Sequence, residues 1–242
     1  MFGEIRNSYG ENLEYFYAPG TEGDDRIVVL GHGVTGNMDR GVMTGAEAAL
    51  QSIGIASLRF SFAGNGGSEG RFQDCTISKE VEDLGAVVVV VSTAGRTIAY
   101  GGHSMGGAVG VMRAATDDRI RLLVSFAGMV ETQKFAQAEF GEANPDAGYM
   151  WDEECCPLSS TYMNDMASIG SIVELGAEIR VPWLLLHGSE DDVVPIQDSI
   201  DIEAKATCSR KFVTIEGADH SFSEHQSQMR EALGSWVSEQ FG

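Results

Sequence analysis

Six short apolar runs, separated by longer segments of helical character, constrain this chain more than any other feature of its sequence. They are Ile27-Val28-Val29-Leu30, Ile55-Ala56-Ser57-Leu58-Arg59-Phe60, Thr97-Ile98-Ala99-Tyr100, Leu122-Leu123-Val124-Ser125-Phe126, Trp183-Leu184-Leu185-Leu186 and Phe212-Val213-Thr214-Ile215. Most end at glycine or a polar loop, as buried strands do. Helical candidates lie between them at about 41–52, 78–93, 105–115, 165–178, 197–205 and 226–240, and Leu13-Glu14-Tyr15-Phe16-Tyr17 reads as an early edge strand. Strand and helix alternating in this way specify an α/β fold, a mainly parallel central sheet with helices on both faces. Ala86-Val87-Val88-Val89-Val90-Val91 is the ambiguous segment, because valine favours strand by propensity. Lys79-Glu80-Val81-Glu82-Asp83-Leu84 leads into it and a crossover is needed before the next strand, so the expectation is helix.

The 242 residues, 43% of them apolar, suffice for one sizeable core, and residues 1–242 are read as a single domain. The net charge of −20 sets up a long-range field that repels phosphate backbones and anionic membranes, which argues against a nucleic-acid partner. The start, Met1-Phe2-Gly3-Glu4-Ile5-Arg6, is not a basic stretch followed by an apolar one, and no run approaches the ~20 apolar residues that span a bilayer. A soluble, cytoplasmic protein without membrane insertion is expected. Cys75, Cys155, Cys156 and Cys208 lack paired metal-ligand spacing, and adjacent Cys155-Cys156 is awkward for a structural disulfide. Reduced thiols and no bound metal are therefore expected.

In an open parallel sheet, ligands bind beyond the carboxyl ends of the strands, so the loops that follow strands carry the interest. Those loops hold Gly31-His32-Gly33-Val34-Thr35-Gly36-Asn37, Gly102-His103-Ser104-Met105-Gly106, His187-Gly188-Ser189-Glu190-Asp191-Asp192 and Gly217-Ala218-Asp219-His220-Ser221-Phe222. A serine, an acid and a histidine follow one another at strand ends. The second loop is a G-x-S-x-G sequence, whose glycines let a strand turn sharply into a helix and leave the serine oxygen at the apex. Ser104 is thus the candidate nucleophile. A serine hydroxyl attacks poorly near neutral pH unless a base lies within hydrogen-bond reach and a carboxylate orients that base.

Through His32-Gly33-Val34-Thr35-Gly36, Gly64-Asn65-Gly66-Gly67-Ser68-Glu69-Gly70 and His187-Gly188-Ser189-Glu190-Asp191, the chain resembles the α/β-hydrolase superfamily over nearly its whole length. Within it, the resemblance is to compact serine esterases: cinnamoyl or feruloyl esterases, monoacylglycerol lipases and serine aminopeptidase-type hydrolases. The resemblance implies Asp191 as the triad acid, in a motif H-G-x-x-D-x-x-V-P that continues to Val194-Pro195, with Asp192 as the rival one register away. It implies His220 as the base, and the backbone N–H groups of Val34 and Met105 as oxyanion donors. His32 and His187 are read as packing or loop-shaping, His103 as pointing away from the nucleophile, and His225 as part of a polar segment. Where relatives carry Asp and Arg, this chain has Ser61 and Ala63. The glycines of that loop do not form a phosphate cradle, because no Lys-Ser/Thr follows.

Regular alternation fails between Met129 and about Asn164, where Phe135, Phe140, Tyr149, Trp151 and Tyr162 mix with acidic residues. The superfamily commonly inserts a cap at this point, and residues 131–164 are read as a small cap insertion, with Tyr149 and Trp151 as candidate substrate contacts. The resulting expectation is a serine hydrolase that cleaves a small-molecule carboxylic ester through an acyl-enzyme, without cofactor. An amide or peptide, a thioester or a C–C bond are alternatives for the same constellation, and a non-enzymatic small-molecule receptor or interaction module is the alternative of a different class.

Overall fold

The structure, a computed structural model, describes residues 2–241. Seven strands form one sheet: β1 (Tyr15–Ala18), β2 (Arg26–Gly31), β3 (Ala56–Phe60), β4 (Thr97–His103), β5 (Ile120–Phe126), β6 (Trp183–Gly188) and β7 (Arg210–Ile215). Their spatial order is β1-β3-β2-β4-β5-β6-β7, with β1 antiparallel to β3 and every other pairing parallel. The helices are α1 (Gly41–Ser52), α2 (Ile77–Thr93), α3 (Met105–Ala114), α4 (Thr132–Phe140), α5 (Ser160–Ile169), α6 (Ile196–Lys205) and α7 (Gln226–Phe241). The fold is that of the α/β-hydrolases. No described helix is long and apolar enough to cross a membrane.

Alternation along each strand divides the interior into two cores. Val28 and Leu30 of β2 meet Val42, Met43 and Leu50 of α1 and Met229, Leu233 and Trp236 of α7 on one face. Ile27 and Val29 meet Leu84, Val87, Val88 and Val91 of α2 and Ala108 and Val109 of α3 on the other. Trp183, Leu184, Leu185 and Leu186 of β6 are all fully buried, which explains a run with no polar position. Each such side chain stabilises the fold by about 1.5–3 kcal/mol relative to exposure.

The valine run is helical. Thr76 accepts a hydrogen bond from the Lys79 N–H at the start of α2, and Val87, Val88 and Val91 then form its buried stripe while Val89 lies exposed. Packing of that stripe against the sheet overrides the strand propensity of valine. Three expectations change. The helix anticipated at 165–178 begins instead at Ser160, because Ser159 accepts from the Tyr162 N–H, and it stops at Gly170, whose φ of 72° leaves the helical region; a short 3-10 turn (Val173–Glu178) follows. The early strand begins at Tyr15 rather than Leu13, which packs into the core instead. β7, expected to be buried, is an edge strand whose early residues face solvent.

The segment between β5 and β6 folds on itself. Phe140 at the end of α4 lies 6.1 Å from Phe135, 6.0 Å from Tyr162 of α5 and 4.9 Å from Trp151, ring centroid to centroid.

Candidate active site

β4 runs into α3 through Ser104, which adopts φ 55°, ψ −119°, a left-handed conformation that costs a non-glycine residue about 1–3 kcal/mol. The surroundings enforce it. A Cβ on Gly102 would come within 2.1 Å of the Gly106 carbonyl oxygen, and one on Gly106 within 2.4 Å of the His32 carbonyl oxygen, so the corner closes only with glycine at both positions. The buried Tyr100 hydroxyl donates to the Gly106 oxygen at 2.9 Å, and the Ser104 N–H donates to Phe126 on β5 at 2.9 Å. Sequence reasoning missed the role of Tyr100, which looked like one more apolar strand residue.

Asp191 follows β6, and its carboxylate is fully enclosed. Oδ1 accepts the N–H groups of Val193 (3.0 Å) and Val194 (2.8 Å), while Oδ2 accepts from His220 Nδ1 at 2.8 Å and lies 3.2 Å from His187 Nε2. Burial works to raise its pKa, but the hydrogen bonds from His187 and His220 and the backbone donors outweigh it and hold the carboxyl far below the usual carboxylate range. Asp192, the rival acid, is exposed.

His220 follows β7, in a loop fastened by the Gly217 N–H donating to Ser189 Oγ at 2.8 Å. With Nδ1–H committed to Asp191, the lone pair of the neutral ring sits on Nε2. His220 and Ser104 line the same cavity, of about 630 Å³, at the carboxyl ends of the strands. Among the described residues the Ser104 hydroxyl has no hydrogen-bond partner. Serine–base bonds of this kind often close only around substrate.

Three further histidines surround these groups. His103, expected to point away, instead donates from Nε2 to the His220 carbonyl at 3.0 Å and stacks obliquely on its ring, with centroids 4.7 Å apart. Burial, reinforced by the charge His220 can carry, pushes His103 down to about 3 and keeps it neutral. His187 donates from Nε2 to the Val194 carbonyl at 2.9 Å as well as facing Asp191, and its Nδ1 accepts from Ser199 at 2.8 Å, so it braces the acid loop. His32 takes the Phe62 N–H on Nε2 at 3.0 Å and donates from Nδ1 to Gly33 at 2.7 Å; burial lowers its pKa to about 4. These bonds hold the loop that carries Val34. Among the described residues the backbone N–H groups of Val34 and Met105 have no acceptor, and Val34 and Gly33 line the cavity beside Ser104.

The segment between β5 and β6 brings Trp151 and Glu153 to this cavity. Tyr149 is a correction: it bridges to Pro157 and lines a separate surface depression with Arg71 and Asp146 rather than the cavity of Ser104. Glu153, Cys155 and Cys156 bring their donor atoms within 4.8 Å of one another, with the two sulfurs 3.5 Å apart. Burial and the neighbouring Cys155 thiol push the Cys156 thiol up to about 12.

Comparison with known proteins agrees with this architecture. The chain is 28% identical over 219 residues to an uncharacterized protein of Mycobacterium tuberculosis, covering 90% of this chain and 71% of that one. It is 22% identical over 205 residues to the mitochondrial palmitoyl-protein thioesterase ABHD10 of Bos taurus, covering 79% and 66%. Among solved structures, Est1E from Butyrivibrio proteoclasticus with bound ferulic acid superimposes with a TM-score of 0.86 at 25% identity, over 98% of both chains. The esterase domain of a Rhodothermus marinus protein has a TM-score of 0.76 at 21% identity, over 99% and 98%. The profile of the prolyl oligopeptidase family matches residues 60–242, from the end of β3 through α7, and the chain therefore belongs to that family of α/β-hydrolases.

Proposed function

We propose that this hydrolase cleaves a carboxylic ester through an acyl-enzyme. Ser104 attacks the carbonyl carbon as its proton passes to Nε2 of His220; Asp191 holds the ring in the tautomer that frees Nε2 and stabilises the imidazolium that forms. The N–H groups of Val34 and Met105 take the oxyanion, the geometry in which fixed donors lower the barrier most. The imidazolium then gives its proton to the departing alcohol, and the steps repeat with water in place of serine. The observation that carries this reading is the buried Asp191–His220 pair at 2.8 Å, on the same cavity as a serine forced into an elbow.

Solved structures named as esterases share the fold, which supports an ester, and Trp151 on the cavity lining supports an apolar contact for the substrate. The curated relatives named palmitoyl-protein thioesterase favour a second reading, an acyl thioester attacked by the same groups. A fluorophosphonate should label wild type at Ser104 in one-to-one stoichiometry, and Ser104→Ala should abolish labelling and the turnover of p-nitrophenyl esters. Wild-type activity in that variant would remove Ser104 from the chemistry. A wild type that neither labels nor turns over any ester or thioester would favour a binding module instead.

A further inference from the structure

The chain carries 16 basic against 36 acidic residues, so free cations are scarce. Among the described residues only Arg40, Arg96, Arg121, Lys211 and Arg230 have no carboxylate within 4.0 Å. Arg96 immediately precedes β4, and Arg121 and Lys211 sit at the starts of β5 and β7, which places all three at the amino ends of the strands, away from Ser104. Arg40 and Arg230 line the cavity of Ser104 and His220. One arginine stands at the start of α1 and the other in α7, two helices that pack together on one face of the sheet.

Arg40 spends one N–H on the Thr35 carbonyl at 3.0 Å, and Arg230 makes no hydrogen bond to a described residue. Both are exposed at the cavity rim, and most of their donors therefore have no protein partner and stay free for a ligand, in the planar fork that fits a carboxylate or phosphate with two parallel bonds. The amino end of α1 opens on the same wall through Gly41 and Val42 and adds partial positive charge. Glu153 is the acidic side chain on the lining and comes from the segment between β5 and β6 rather than from α1 or α7. In a molecule of net charge −20, this wall is a local reversal of sign.

We propose that the substrate carries an anionic group, a carboxylate or phosphate, away from its scissile bond, and that Arg40 and Arg230 bind it. This rests on the ester-hydrolase reading and deepens it by naming the substrate class. Two matched pairs test it: 4-(butyryloxy)benzoate against its methyl ester places the charge on the leaving group, and p-nitrophenyl hemiglutarate against p-nitrophenyl pentanoate places it on the acyl group. The expected result is a kcat/KM ratio of about 10 in favour of the anion in one pair at low salt, collapsing at about 1 M salt, where the Debye length is about 3 Å. The ratio should fall towards unity in Arg230→Gln and further in Arg40→Gln/Arg230→Gln. Taking the ratio within each variant removes any loss of activity from loosening the Thr35 loop.

Binding supplies a readout that does not need turnover. Calorimetry on Ser104→Ala should show tighter binding of 4-(butyryloxy)benzoate or hemiglutarate ester than of the neutral partner, and this difference should disappear when both arginines are replaced. If the wild type turns over no ester while that arginine-dependent preference persists, the ester reading fails and the anion site stands. Equal or better use of the neutral member in both pairs, or a preference that survives the double substitution, overturns the proposal.

Discussion

Exchanging either of the adjacent aspartates for asparagine tests the proposed chemistry most sharply, because the two differ by one residue in sequence and completely in environment. The Asp191 carboxylate is enclosed and meets four donors, whereas Asp192 is exposed. In Asp191→Asn the amide oxygen can still accept from Val193 and Val194, which turns its NH2 towards His220 Nδ1. Donor then faces donor, and the imidazole relieves the clash by moving its proton to Nε2, where it can no longer take the serine proton. The same substitution in a serine protease triad lowers kcat by about 10⁴-fold, or about 5 kcal/mol of transition-state stabilisation. We expect that loss in Asp191→Asn and a change of about 2-fold or less in Asp192→Asn, since exposed substitutions away from special features shift energies by about 0.5 kcal/mol. Initial rates of p-nitrophenyl ester hydrolysis measure kcat, and circular dichroism establishes that both variants are folded. The larger loss in Asp192→Asn, or more than about a tenth of the wild-type kcat in folded Asp191→Asn, would refute the reasoning.

Other expectations follow from the same geometry. Trp151→Ala should reorder ester substrates by about 10- to 200-fold in relative kcat/KM, and Tyr149→Ala should leave the order intact; a uniform loss across all esters in Trp151→Ala would instead assign it to the fold. His103→Phe keeps the ring but deletes the bond to the His220 carbonyl, and a displaced base should lower kcat by about 10- to 100-fold while KM for small esters stays within about 3-fold. A matched fall in thermal stability with no change in kcat would make His103 purely structural. Burial opposes charge on Asp117, but hydrogen bonds from Arg119 and Arg113 prevail and take it from the usual 3.8 to about 2. Because the folded value lies below the unfolded one, this group contributes about 2 kcal/mol at neutral pH, and that contribution disappears as pH falls from about 4 to 2. Denaturant titrations of wild type and Asp117→Asn should therefore converge over that window, and a constant gap would contradict the assignment.

Much of the fold is legible because its rules are local. The apolar runs at Ile27, Ile98 and Trp183 can serve only as strands buried on both faces, and α1, α3 and α7 occupy their expected segments to within a residue or two. Where local signals conflict, the core arbitrates: the valine run becomes helix because its stripe of Val87, Val88 and Val91 is buried in the core on one face of the sheet. The boundary of α5 escaped because it depends on a serine cap and a left-handed glycine within a segment that otherwise lacks periodicity.

The sequence by itself determined the alternating architecture and the corner at Ser104, because a two-residue or four-residue period and a pair of glycines around a serine act over distances that neighbouring residues span. Tertiary structure alone decided which side chains share a volume. The pairing of buried Asp191 with His220, the turn of His103 onto His220, the presence of Trp151 and not Tyr149 at the cavity of Ser104, and the arrival of Arg40 and Arg230 on that cavity all join residues far apart in the chain. No period encodes such meetings; they arise only when the two cores pack and bring the strand ends, α1 and α7 to one side of the sheet.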